Sequence, residues 1–225
     1  MNRVDEISRN LEQVKERIAS AAKRWNRSID EITLIVVTKT FPLSDLEILY
    51  SLGVREFGEN RDQEAAVKVG QLPADINWHF QGGIQSNKLK SITNWASYIH
   101  SVDQFKYAKI ISENSAGKSK SIFIQVSLDN PPESRGGVDP QKLITLATEI
   151  GQLPNISIKG LMAVAPVSGD LPRAFGRLQG IHNDFKATFN AAKSLSAGMS
   201  GDYEMALEYG ATHLRIGSSI LGNRA

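Results

Sequence analysis

Cysteine is absent from the 225 residues, which excludes a disulfide framework, a thiol nucleophile and a thiolate metal site. A dominant charge sign is missing as well. The 26 Lys and Arg against 24 Asp and Glu leave a formal net charge of +2, too little for the basic surface that nucleic acid demands. No apolar run approaches the length of a membrane span. The opening MNRVDEISRN mixes acids with bases, unlike a secretory leader. The four histidines, His79, His100, His182 and His213, are scattered without an i, i+4 pair, so they form no metal motif. Serine-hydrolase, P-loop and paired-carboxylate signatures are also lacking. These absences predict a cytoplasmic protein without metal, nucleic-acid or membrane partners.

What is present is a globular composition, 41% hydrophobic with 18 Gly, enough for one sizeable core. No Pro/Ser/Gly linker divides the chain, so a single domain over residues 1–225 is expected. The first segment is an amphipathic helix: Val4, Ile7, Leu11, Val14, Ile18 and Trp25 recur at spacings of three, four and seven. It either packs on the rest of the chain or serves a dimer; the former is commoner, and a monomer is expected.

From residue 33 the pattern alternates. TLIVVTK (33–39) is a continuous β-branched run suited to a strand buried on both faces. Helix-compatible PLSDLEILYSLG (42–53) follows, with proline in its first turn and Gly53 as a stop. Further strand candidates are REFGE (55–59), NWHFQG (77–82), YIHSVD (98–103), SIFIQV (121–126), IKGLMAV (158–164), SLSAGM (194–199) and HLRIG (213–217). Helical stretches separate them at 61–69, 87–95, 104–114, 140–151, 172–193 and 202–209. Strand–helix alternation implies parallel pairing with right-handed crossovers, and eight units predict a (β/α)₈ TIM-type barrel with an extra N-terminal helix. An open doubly wound sheet is the alternative, but no G-x-G-x-x-G follows the first strand. The stretch DNPPESRGGVDP (129–140) reads as a surface loop whose composition suits mobility over the barrel mouth.

Chemistry in such a barrel belongs at the C-terminal strand ends. Lys39 closes LIVVTK on the same face as Ile35 and Val37. Directed into a low-dielectric rim, its ammonium would be destabilised, as a Schiff-base lysine requires; a solvated lysine at the strand end is the plainer possibility. GMSGD (198–202) and RIGSS (215–219) put small residues after strands seven and eight, where barrels of this type hold phosphate. A plain helix cap by Ser200 or Asp202 is the alternative at the first loop. Arg215 shares a face with His213 and Gly217 and needs an anionic or polar acceptor, or else a structural salt bridge. Glu59 and Asn60 end strand two, and His79 lies near the end of strand three.

A Schiff-base lysine with a phosphate cup suggests pyridoxal phosphate. The strings VTKTFP, FGEN, WHFQGGIQSNK, GLMAV, SAGMSGD and LRIGSSILGNR, in order along nearly the whole chain, resemble the pyridoxal-phosphate homeostasis proteins, relatives of the N-terminal barrel of alanine racemase. The resemblance implies pyridoxal 5′-phosphate attached to Lys39, with Ser200, Gly217 and Ser218 on the phosphate. It also implies Arg215 at the pyridine nitrogen, Asn60 beside the ring, and Met162 and His79 as pocket wall. Departures from the family pattern are Gln81 and Gly83 in HFQGG, Arg61 after GEN, and Arg135 at a usual lysine. The implied function is non-catalytic, holding the cofactor for vitamin B6 homeostasis, with free amino acids or cofactor-accepting apo-enzymes as partners. The alternative is a racemase or transaminase of small amino acids. An arginine at the pyridine nitrogen weakens the electron sink, and the second base that alanine racemase draws from a separate β-domain is not expected here.

Overall fold

The structure is a computed structural model that describes residues 2–129, 136–166 and 169–222. Eight parallel strands close into a barrel in sequence order: β1 (Thr33–Val37), β2 (Glu56–Glu59), β3 (Asn77–Phe80), β4 (Tyr98–Val102), β5 (Lys120–Gln125), β6 (Ile156–Met162), β7 (Ser194–Ser196) and β8 (His213–Ile216). The seam is made by β1 and β8, where Ile35 pairs with Arg215. Around the barrel lie α2 (Leu43–Ser51), α3 (Asp62–Val69), α4 (Leu89–Trp95), α5 (Phe105–Asn114), α6 (Leu143–Gly151), α7 (Leu171–Thr188), α8 (Tyr203–Glu208) and the short α9 (Ser218–Leu221).

The apolar core lies between strands and helices. Val36, Phe57, Ile99, Ile122, Leu161, Leu195 and Leu214 point outward from the strands and are sealed by Leu46, Leu49, Ala108, Ile111, Ile150 and Phe185 from the helices. The barrel interior is different. Alternate residues there include His79, His100, Ser196 and Arg215, all at most 5% exposed, alongside Ile35, Phe123 and Met162, a more polar filling than such barrels usually carry.

Helix α1 (Arg3–Arg24) packs on the barrel. Asn2 caps it, its Oδ1 accepting from Asp5 N at 2.8 Å, and Ile7, Leu11, Val14, Ile18, Ala21 and Ala22 are buried. Arg3 donates to Asp45 Oδ2 at 2.6 Å and to the Leu221 carbonyl at 2.9 Å, joining α1 to α2 and α9. Val4 and Trp25, read as ends of the apolar stripe, lie outside this contact at 48% and 41% exposure.

Most element boundaries shift by one to three residues from the sequence reading, as at β7, which ends at Ser196 rather than 199; two shifts stand out. Strand β1 ends at Val37, and although Thr38 N still donates to Gly58 O at 2.9 Å, Thr40 at φ 69° turns the chain away. Lys39 therefore sits in the turn beyond the strand. Helix α7 stops at Thr188, short of 193; the chain leaves the helix at Phe189, whose ring stacks on Phe185 with centroids 4.9 Å apart. Of the loop expected over the mouth at 129–140, residues 130–135, Arg135 among them, lie outside the described residues, while Gly137 N donates to Asp103 Oδ2 at 2.8 Å. No helix among the described residues is long and apolar enough to cross a membrane.

Gly160 stands at φ 154°, where a register shift separates β5 from β6, and a Cβ there would overlap the Ser194 carbonyl oxygen. Gly160→Ala is expected to lower the unfolding free energy by at least about 2 kcal/mol, read from denaturant melts. Burial, with Lys186 adding to it, lowers His182 from 6.5 to about 4. The unfolded chain therefore binds this proton first, and stability falls as pH drops from 6.5 toward about 4. In that window His182→Leu should flatten the fall by up to about 1.4 kcal/mol per pH unit, measured by melts at stepped pH.

Candidate binding site at the barrel mouth

A cavity of about 620 Å³ opens at the C-terminal ends of the strands, in the range that small ligands occupy. Lys39, Asn60, Met162, Ser200, Arg215, Gly217 and Ser218 all line it, joined by Val37, Phe41, Glu59 and Gln81. The seven residues singled out from the sequence thus meet in one place. His79 does not line it. His79 points inward from β3 and Gln81 follows the strand end; Gln81 reaches the mouth, while His79 lies a layer deeper, 1% exposed.

The loops after β7 and β8 form one wall. Ser200 Oγ accepts from Gly217 N at 3.3 Å and from Ser219 N at 3.4 Å, so these two amides converge on a single point, the geometry an anion exploits. Asp202 stands ahead of α8 but does not cap it; its Oδ1 accepts from Met199 N at 2.6 Å and shapes the loop instead. Gly198, at φ 92°, permits this: a Cβ there would lie 2.8 Å from Ala206 Cβ.

Arg215 projects from β8 into the interior. Its Nη1 donates to Ser196 Oγ at 2.7 Å and its Nη2 to the Ala163 carbonyl at 2.9 Å. Both acceptors are neutral, so the salt bridge considered from sequence is not the arrangement found. Burial lowers the guanidinium to about 10, with Asp202 opposing the shift, and it stays charged at neutral pH.

The turn carrying Lys39 is held on both sides. Lys68 Nζ, from α3, donates to the Thr38 carbonyl at 2.9 Å, to Glu59 Oε1 at 2.8 Å and to Glu64 Oε1 at 2.6 Å. Glu64 Oε1 also accepts from Thr40 N at 2.6 Å, and Thr38 Oγ1 donates to Glu59 Oε1 at 2.7 Å. The residues flanking Lys39 are thereby pinned to one buried ion cluster, which stabilises the positive φ of Thr40. Burial raises the Glu59 carboxyl, partly offset by Lys68 and Thr38. Sequence reasoning noticed Glu59 but missed Lys68 and Glu64, because an i, i+4 pair on a helix ordinarily reads as a solvated one. Among the described residues, Glu59 Oε2, Asn60 Oδ1 and Gln81 Nε2 are buried without a protein partner. Beyond Asn60, Arg61 and Lys88 line a second, smaller cavity of about 430 Å³.

Comparison with known proteins is consistent along the chain. The family model for the alanine racemase N-terminal domain matches residues 4–225. The pyridoxal phosphate homeostasis protein of Mycobacterium tuberculosis is 36% identical over 245 residues, covering 99% of this chain and 95% of that protein. A crystal structure described as that of an unknown protein from Bifidobacterium adolescentis superimposes with a TM-score of 0.90 at 30% identity, covering 97% of this chain and 95% of that one. PipY of Synechococcus elongatus, solved with PLP bound, gives a TM-score of 0.82 at 29% identity over 96% of this chain and all of that one.

Removing one partner from the ion cluster leaves a buried charge uncompensated. Lys68→Met is expected to destabilise by about 3–5 kcal/mol, and adding Glu59→Gln should recover much of that loss. Chemical denaturation of the two single variants and the double variant reads the coupling; strict additivity would show that the cluster does not act as a unit.

Proposed function

The chain belongs to the alanine racemase N-terminal domain family and, within it, to the pyridoxal phosphate homeostasis proteins, and on that premise we propose that it binds pyridoxal 5′-phosphate at the barrel mouth. In this reading the protein holds and releases the cofactor within the cell and turns over no substrate of its own. Free amino acids or cofactor-accepting apo-enzymes are its partners, and it works as a single-domain monomer.

The observation that carries the reading is the meeting, in one cavity, of an amine, a buried guanidinium and the Ser200 hydroxyl on which the Gly217 and Ser219 amides converge. The unpartnered Asn60 Oδ1 and Gln81 Nε2 add polar groups that a polar, ring-sized ligand would satisfy. These residues fit the cofactor. When bound, it supplies an aldehyde that an amine can capture and a ring that can accept electrons. Lys39 offers the amine, as the covalent anchor. The Gly217 and Ser219 amides, with the hydroxyls of Ser200 and Ser218, would hold the phosphate. Arg215 would donate to the ring nitrogen, Asn60 would lie beside the ring, and Met162 would supply apolar wall.

Holding is favoured over turnover by the ionisable groups that line the cavity among the described residues: Lys39, Glu59 and Arg215. Arg215 cannot serve as a base. Glu59 is tied through one oxygen to Lys68 and Thr38. Arg215 is also a permanent donor, which keeps a ring nitrogen unprotonated and weakens electron withdrawal.

The visible absorption spectrum tests this. Purified protein with added pyridoxal phosphate is expected to show a yellow band that Lys39→Ala abolishes. Adding an L-amino acid should strip the band without forming D-amino acid or keto acid. Lys39-dependent racemisation would overturn the non-catalytic role, and a colourless wild type in excess cofactor would overturn the binding itself.

A further inference from the structure

Below the cavity, a file of buried polar side chains runs through the barrel interior from Arg215 to the opposite end. Arg215 Nη1 meets Ser196 Oγ at 2.7 Å, Ser196 Oγ meets His100 Nδ1 at 2.9 Å, His100 Nε2 meets His79 Nδ1 at 2.9 Å, and His79 Nε2 meets Glu56 Oε2 at 2.6 Å. Five residues on five strands are thus joined by four short contacts. The rings are held in plane by aromatic neighbours: His79 stacks on Tyr98 at 4.5 Å and His100 on Phe123 at 4.3 Å.

The two ends decide every proton between them. A guanidinium only donates, and a carboxylate only accepts. Glu56 stays ionised, because bonds from His79 and from Asn77 outweigh burial and lower its carboxyl. Burial holds His79 below its ordinary value and His100 well below, so both imidazoles are neutral. His79 Nε2–H must then donate to Glu56, which makes its Nδ1 an acceptor. His100 Nε2–H donates to that nitrogen, leaving His100 Nδ1 to accept from the Ser196 hydroxyl. Ser196 Oγ, its proton committed, accepts from Arg215. One assignment satisfies all four contacts, and each bond polarises the next.

We propose that Glu56, His79, His100 and Ser196 form a positioning relay for Arg215: a one-way chain of hydrogen bonds, every donor directed toward Glu56, that fixes the guanidinium at the floor of the cavity. Glu56 is a positioning residue acting across the barrel, not a group that touches the ligand. The proposal rests on the cofactor reading only for its effect on a bound ring; the relay itself belongs to the protein alone.

Nitrogen NMR of ¹⁵N-histidine-labelled protein, first without cofactor, tests the relay. Wild type is expected to show His79 and His100 neutral, each protonated at Nε2 and bare at Nδ1. In Glu56→Ala the terminal acceptor is gone, and His100, which residue 56 does not touch, should become a mixture of both tautomers. Leu161→Ala, a buried truncation on the outer face of β6, should leave the pattern intact. Loaded with pyridoxal phosphate, Glu56→Ala should show a displaced visible band and lose the cofactor several-fold faster than wild type.

A wild-type His100 protonated at Nδ1, or at both nitrogens, overturns the relay even if Glu56→Ala does not fold. So does a Glu56→Ala protein whose His100 matches that of Leu161→Ala. The expected nitrogen pattern in a protein that takes up no pyridoxal phosphate would support the relay while refuting the cofactor reading.

Discussion

A guanidinium buried inside a barrel is the constraint around which this structure is arranged. Arg215 is 5% exposed and cannot shed its charge to reduce the cost of burial. It must be met by acceptors, and the strands beside it supply them from Ser196 and the Ala163 carbonyl. Those acceptors need their own partners, which draws His100, His79 and Glu56 into the interior. The apolar packing that stabilises the fold is displaced to the outer faces of the strands, where the helices seal it. The polar part of the interior is thereby organised around one side chain.

The mouth is governed by a second buried charge of the same sign. Lys68 secures the backbone on either side of Lys39 through Thr38, Glu59 and Glu64. One lysine presents its amine to the cavity while another, behind it, fixes the turn that carries it. In the function proposed above, this division would keep the anchoring amine in a constant place, and Arg215 at the ring nitrogen would favour retention over chemistry.

Much of this was legible in the residues. Alternating β-branched and amphipathic segments specify a closed barrel with little ambiguity, since eight strand–helix units leave few other topologies. The cavity residues were legible because chemistry in this fold is confined to strand ends, and small residues at 198–202 and 215–219 stood out there. The interior file was not legible. Glu56, His79 and His100 are far apart in sequence and belong to different strands, so only the register that brings Gly58 beside His79 and His79 beside Tyr98 aligns them. His79, which the resemblance placed on the pocket wall, lies below the residues that line the cavity. The end of β1 was overread by two residues because Thr38 continues the ladder before Thr40 turns away.

The cavity also straddles the seam between the first strand and the last, with Lys39 following β1 and Gly217 following β8. Ring closure there joins strands about 180 residues apart, Ile35 to Arg215, a contact whose loop-closure entropy is large. A ligand gripped from both banks of the seam binds only the closed ring, so its binding energy adds to the closure itself. Occupancy of the cavity and the integrity of the barrel would thereby be tied, the loaded protein resisting opening at the seam between β1 and β8.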